Sequence, residues 1–256
     1  MRFAPGRGGL GPAWGAEVVS SNIVGYEKIS LAAGYNMIGV QFNQVGGESL
    51  PLADVGVLAA NAAGFDEDGN YASTMEIWNG NGYDKYGWSG SSGTDVLDNS
   101  DLDNKWLNYD LEEEDGVSVA GSGFWISAAS ATEMTISGEV ESDASVTANL
   151  VAGYNLVGNP FPGDVKIADF GVLDSSFAGF DEDGNYATTM EIWNGNGYEK
   201  YGWSGSSGTD VLDNSALDNK WLNYDLEEED TLLPFGKSVW INAAKAGTIT
   251  YTNPIQ

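Results

Sequence analysis

The sequence predicts an all-β fold made of two tandem repeats, each a β-sandwich or barrel-like unit with hairpin turns rich in Gly, Asn and Asp. Three observations carry that reading. Phe65 to Asp115 returns at Phe180 to Asp230 with three differences only: Ser73 against Thr188, Asp84 against Glu199, Asp101 against Ala216. Short runs of β-branched and aromatic residues are separated by turn residues at intervals of about 8–12 residues. No long helical period runs through any part of the chain.

The match extends beyond the near-identical block. Trp125 aligns with Trp240, and Leu52 to Leu58 aligns with Ile167 to Leu173, both at an offset of 115 residues. Ala32 to Phe42 aligns with Val151 to Phe161 at an offset of 119, so the first copy holds four extra residues in a Gly-rich loop around Val45 to Leu50. A loop absorbs such a length change at little entropic cost. The expected organisation is a loosely ordered leader at 1–20, a first repeat at 21–142 and a second at 143–256.

Within the first repeat, Asn22 to Leu31 alternates and reads as a strand, Gly34 as a turn, and Tyr35 to Phe42 as a second strand. Pro51 to Gly64 is rich in Ala and suggests one short helix. Asp68-Gly69 is a turn dipeptide. Tyr71 to Trp78 alternates, with Thr74, Glu76 and Trp78 on one face and Met75 and Ile77 on the other. Asn79-Gly80-Asn81-Gly82 then closes a hairpin onto Tyr83 to Trp88, because Asn and Gly tolerate the positive φ that tight hairpin turns require. After a Ser/Gly loop, Lys105 to Leu111, Gly123 to Ala128 and Met134 to Val140 read as further strands. Glu141 to Ala144 is the junction, and the second copy repeats the order.

Composition narrows the chemistry. The chain of 256 residues has 38 acidic and 10 basic residues, a formal net charge of −28, and neither Cys nor His. Such a field repels nucleic acid and anionic membranes and attracts cations. Disulfides, thiol chemistry and Cys-based zinc sites are excluded, and the commonest general base is missing. No apolar run approaches the length of a membrane-spanning helix. The N-terminal residues lack an apolar stretch between Arg2 and Ala16, so they do not read as a signal peptide. No Gly-x-Ser-x-Gly or phosphate-binding loop occurs, and the expectation is that the protein is not an enzyme.

Two groups of side chains are candidate sites. Trp78, Tyr83, Tyr86 and Trp88, with their twins Trp193, Tyr198, Tyr201 and Trp203, could present rings to sugars; the competing reading is cross-strand core packing. Asp66, Asp68 and Asn70, with Asp181, Asp183 and Asn185, have the carboxylate-x-carboxylate-Gly opening of calcium loops, where oxygen ligands crowd one cation. Position twelve from Asp66 is Ile77, however, and a solvated hairpin turn is the competing reading. The acidic positions Asp95, Asp98, Asp101 and Asp103 could add ligands, and Glu112 to Asp115 reads as a solvated acidic run.

Gly153 to Pro162 (GYNLVGNPFP), Glu191 to Tyr201 (EIWNGNGYEKY) and the strand ending SVWINAA form a pattern. It resembles a repeated β-domain of secreted and surface proteins of Bacteroidota and Verrucomicrobiota, with the motifs GxNLIGNPxP, WNGxxYxxY and GxGFWV. The resemblance covers both repeats and implies an extracellular or cell-surface location without implying a catalytic residue. The first copy departs from it at Gly39-Val40-Gln41-Phe42, and the second at Gly236-Lys237-Ser238-Val239. The resulting expectation is a secreted or surface tandem β-protein with a structural or adhesive role. Its partners would be extracellular polymers, a polysaccharide or itself, with calcium as the one conceivable ion. A carbohydrate-binding protein using the aromatic hairpin is the alternative, and a glycan-active enzyme the third.

Overall fold

The computed structural model describes residues 24–44, 50–60, 62–66, 68–91, 100–113, 117–118, 120–206 and 214–254. The leader, loop positions 45–49, Glu67, Asp95, Asp98, Glu114 and Asp115 lie outside them. The described chain is all-β, with antiparallel strands and four 3-10 turns. No helix in it is long and apolar enough to cross a membrane.

In the first repeat the strands are β1 (Val24–Leu31), β2 (Gly34–Gly39), β3 (Phe42–Asn43), β4 (Leu50–Pro51), β5 (Val57–Leu58) and β6 (Thr74–Trp78). They continue as β7 (Tyr83–Trp88), β8 (Trp106–Leu107), β9 (Val117–Ser118), β10 (Gly123–Ala128) and β11 (Thr132–Val140). The second repeat holds β12 (Ser145–Leu150), β13 (Gly153–Gly158), β14 (Val165–Lys166), β15 (Val172–Leu173) and β16 (Thr189–Trp193). Its remaining strands are β17 (Tyr198–Trp203), β18 (Trp221–Leu222), β19 (Leu232–Leu233), β20 (Ser238–Ala243) and β21 (Gly247–Thr252).

Each repeat has a five-stranded sheet, ordered β2-β10-β6-β7-β8 in the first and β13-β20-β16-β17-β18 in the second. A smaller sheet faces it. In the first repeat β1, β3 and β5 all pair with β11; in the second, β12 and β15 pair with β21. The two cores lie between these layers. Trp88 and Trp106 meet at 5.2 Å in one and Trp203 and Trp221 at 5.3 Å in the other. Trp106 donates its indole N–H to the Gly56 carbonyl and Trp221 to that of Phe170, whereas the buried Trp88 indole N–H has no partner among the described residues.

Local chemistry explains the element ends. The β6–β7 hairpin closes because the Asn79 carboxamide oxygen accepts from the N–H groups of Asn81 and Gly82, while Gly80 takes φ 97°. Two expectations are corrected. Pro51 to Gly64 forms a 3-10 turn at Leu52–Asp54 followed by β5, and its described residues hold no α-helix. Val57 and Leu58 pair instead with Thr135 and Met134 of β11, so the sheet takes the backbone groups that a helix would have needed. The strand expected at Lys105 to Leu111 stops after Leu107. There the Asn108 side chain accepts from the N–H groups of Asp110 and Glu112, and Leu111 turns at φ 65°.

The two repeats pack the outer faces of their five-stranded sheets together, and the contacts are reciprocal. The Gly39 N–H donates to the Gly236 carbonyl at 3.0 Å and the Gly158 N–H to the Gly121 carbonyl at 2.8 Å. Ile38 faces Lys237, and Val157 faces Ser122, as antiparallel bridges between the repeats. These are the same contacts exchanged between equivalent positions, the signature of an isologous interface inside one chain. Gly39 and Gly158 meet where the backbones cross. A Cβ on Gly39 would stand 2.6 Å from the Lys237 carbonyl oxygen, and one on Gly158 would stand 3.0 Å from the Gly39 Cα. Only glycine fits both places.

Candidate functional site

Strand alternation builds the site. Along β6, Met75 and Ile77 turn to the core, while Thr74, Glu76 and Trp78 face the other way. Hairpin register then sets Lys85 opposite Glu76 and Tyr83 opposite Trp78. On the other flank β10 sets Trp125 opposite Glu76, and β2 sets Met37 opposite Trp125. The second repeat sets out the same rows, with Leu156 opposite Trp240, Trp240 opposite Glu191, and Glu191 opposite Lys200.

Where the two faces meet, Met37, Trp125 and Trp240 form a buried cluster with Trp78, Leu156 and Trp193 against it. Trp193 stands edge-on to Trp125 at 5.8 Å and donates its indole N–H to the Tyr35 carbonyl at 3.2 Å. Trp78 repeats this on Trp240 at 5.6 Å, donating to the Tyr154 carbonyl at 2.8 Å. Two clefts result. The first, about 280 Å³, is lined by Tyr35, Glu76, Tyr83, Trp125, Trp193 and Tyr198. The second, about 270 Å³, is lined by Trp78, Tyr83, Tyr154, Glu191, Tyr198 and Trp240. Neither cleft exists within one repeat, and Tyr83 and Tyr198 belong to both.

Each cleft has deep and outer rings. Trp125 and Trp240 are 6% exposed, whereas Tyr35, Tyr83, Tyr154 and Tyr198 are between 40% and 53% exposed. Each also has one carboxylate. Glu76 and Glu191 are buried, and each accepts from a lysine ammonium, Lys85 at 2.9 Å and Lys200 at 2.8 Å. That hydrogen bond holds the Lys85 and Lys200 ammonium groups above their ordinary pKa. Burial, and then the neighbouring Tyr198, push the Tyr83 phenol up, and the Trp125 side chain offsets part of this by hydrogen bonding. Burial likewise raises Tyr198, offset by the Trp240 side chain. The walls are therefore aromatic, with the Tyr83 and Tyr198 phenols held protonated at neutral pH, and the one carboxylate lining each cleft is paired with a lysine.

Of the aromatic residues singled out from the sequence, Trp78, Tyr83, Trp193 and Tyr198 line the clefts. Tyr86, Trp88, Tyr201 and Trp203 do not; they lie on the opposite sheet face, inside the hydrophobic cores. Burial pushes the Tyr201 phenol up to about 12. Rings so placed present no face to a ligand. Tyr35, Trp125, Glu76 and their counterparts Tyr154, Trp240 and Glu191 were not singled out, although the alternation that set Glu76 beside Trp78 contained the signal.

The acidic turns are occupied by their own chain. Asp66 Oδ1 accepts from the N–H groups of Asp68 and Asn70 at 3.0 and 2.8 Å, and Asp181 repeats this with Asp183 and Asn185. The Asn70 and Asn185 backbone N–H groups are the main cause holding these two carboxyls below their usual range. Among the described residues no group of three or more acidic side chains stands close enough to hold a metal ion.

Comparison of the chain with protein-family models, curated proteins and solved structures gave no match.

Proposed function

We propose that this protein is a non-catalytic adhesive tandem repeat that holds neutral glycan in the two aromatic clefts. The observation that carries the reading is the pairing, in each cleft, of aromatic walls with one charge-neutralised carboxylate. The face of an aromatic ring is electron-rich, and the axial C–H groups of a pyranose carry the complementary positive edge. The Glu–Lys pair adds an acceptor and donors for sugar hydroxyls without a net charge that would favour an ion. The formal net charge of −28 turns away acidic polysaccharides.

Catalysis of glycan cleavage fits less well. Glycoside hydrolysis needs two carboxyl groups across the scissile bond, and each cleft has one. The resemblance to secreted and surface β-domains favours an extracellular or cell-surface setting, where such contacts serve attachment. A glycan array carrying neutral and acidic polymers tests the proposal, with tryptophan emission following the titration of each hit. We expect binding to neutral chains that shifts the emission of Trp125 and Trp240 and weakens at least tenfold when Tyr35 and Tyr154 are both changed to Ala. No binding across the array would return the protein to a purely structural role.

A further inference from the structure

The two clefts are related by a twofold axis and not by a translation. Every contact that builds one is returned with the repeats exchanged: Trp193 on Trp125 and Trp78 on Trp240, Tyr35 edge-on to Trp125 at 6.0 Å and Tyr154 edge-on to Trp240 at 5.8 Å. Tyr83 and Tyr198, equivalent residues, stand in both linings and so mark the boundary where the two clefts meet. A polysaccharide has a direction. A chain lying in one cleft in the favoured sense would meet the second cleft in the reverse sense. A twofold pair of sites therefore presents equal contacts to two separate chains, which run antiparallel where they lie across the axis. Each cleft, at about 270–280 Å³, is just below the range of small-molecule sites, roughly 300–1,000 Å³, and suits one or two sugar rings.

We infer that one protein chain clasps two separate neutral glycan segments, one in each cleft, and so bridges glycan strands without needing to oligomerise. This rests on the glycan-binding reading and adds to it a stoichiometry and a consequence. Doubling the repeat then has a physical purpose: the second copy both completes the first cleft, through Trp193 and Tyr198, and supplies the second cleft. Because the two sites share one interface within a single chain, binding of a network gains from effective concentration.

The test uses the intact chain with cellotetraose, xylotetraose, maltotetraose and mannotetraose, and with the matching soluble polymers. Calorimetry should give two tetrasaccharides per chain for the sugar that binds. Light scattering with the matching polymer should show particles growing to a maximum at an intermediate ratio and shrinking again in excess protein, while the protein alone stays monodisperse. Tyr35→Ala and Tyr154→Ala each remove an exposed wall unique to one cleft. Each should bind one tetrasaccharide, with affinity within about threefold of the intact site, and lose all polymer bridging. Tyr35→Gln and Tyr154→Gln serve if either alanine variant fails to fold. One tetrasaccharide per intact chain, or two with no polymer growth, would overturn the bridging inference and leave glycan binding standing. Failure of every sugar to bind would remove the glycan reading itself, and this inference with it.

Discussion

Across the axis between the repeats the same seam is built twice, from different residues. On one side Phe235 of the second repeat reaches into the first repeat's core and meets Phe42 edge-on at 6.3 Å. Beside it the half-buried Lys237 faces Glu27, which in turn lies near Asp164. On the other side the equivalent positions are Ala120, Ser122 and Val146, and a groove of about 550 Å³ stays open, against about 380 Å³ on the filled side. The clefts, in contrast, draw Trp78, Tyr83, Trp193 and Tyr198 from the near-identical block. The difference teaches where each job lies. The repeated block supplies four rings and both carboxylates of the two equal clefts, while the divergent flanks, besides adding Tyr35, Trp125, Tyr154 and Trp240, lock the repeats together on one side only.

The largest expected effect tests the symmetric part. Trp125→Ala and Trp240→Ala should each lower stability by about 3–5 kcal/mol, since each removes a buried indole and leaves a cavity. Chemical denaturation should give the two variants equal losses; a difference above about 1 kcal/mol would show that the central cluster is not shared evenly.

The asymmetric part should respond unequally. Phe235→Ala should cost about 2–3 kcal/mol, less than a fully buried ring because Phe235 is only partly covered. Ala120→Phe, which adds a ring to the open groove, should change stability by less than about 1 kcal/mol. Equal losses from both would contradict the reading that one side is filled and the other empty.

A smaller effect depends on pH. Burial first, and Asp164 second, push the Glu27 carboxyl up to about 7 from 4.5, against the lowering influence of Lys237. The folded chain therefore binds this proton more tightly than the unfolded chain between about pH 4.5 and 7. Stability falls as pH rises through that window, by about 1–2 kcal/mol once solvent screening of a half-exposed group is counted. Glu27→Gln should flatten that part of the stability profile between pH 5 and 8, leaving the shallower slope set by the overall negative charge. An unchanged profile would show that Glu27 is not held apart from solvent at the seam.

Much of this architecture was legible beforehand. The duplication follows from residue identity, and the succession of strands along the chain and the Asn79 to Gly82 hairpin follow from turn chemistry and period-two alternation, both local properties. Alternation also separates Tyr83 from Tyr86 and Trp88, because residues an odd number apart face opposite sides of a strand. Grouping those three rings by proximity in sequence mixed core with cleft. The face-to-face packing of the repeats was not legible. Alternation shows that Glu76 and Trp78 share a face, but what covers that face depends on Trp193 and Tyr154, both more than 70 positions away in sequence. The early end of β8 turned on a side-chain bond from Asn108, a competition that strand propensity does not weigh.

Everything proposed for the clefts depends on the pairing of the repeats, and the lack of cysteine makes that pairing easy to test. Ser122 and Val157 face each other across the seam as an antiparallel bridge. Cα atoms of such pairs lie about 4.5–5.5 Å apart, inside the range of about 4.4–6.8 Å that a disulfide spans. The double variant Ser122→Cys/Val157→Cys should close this bond within one chain under mild oxidation, losing both free thiols while its circular dichroism stays that of the unmodified protein. A folded double variant that keeps both thiols free, or forms only links between chains, would contradict the packing from which both clefts arise.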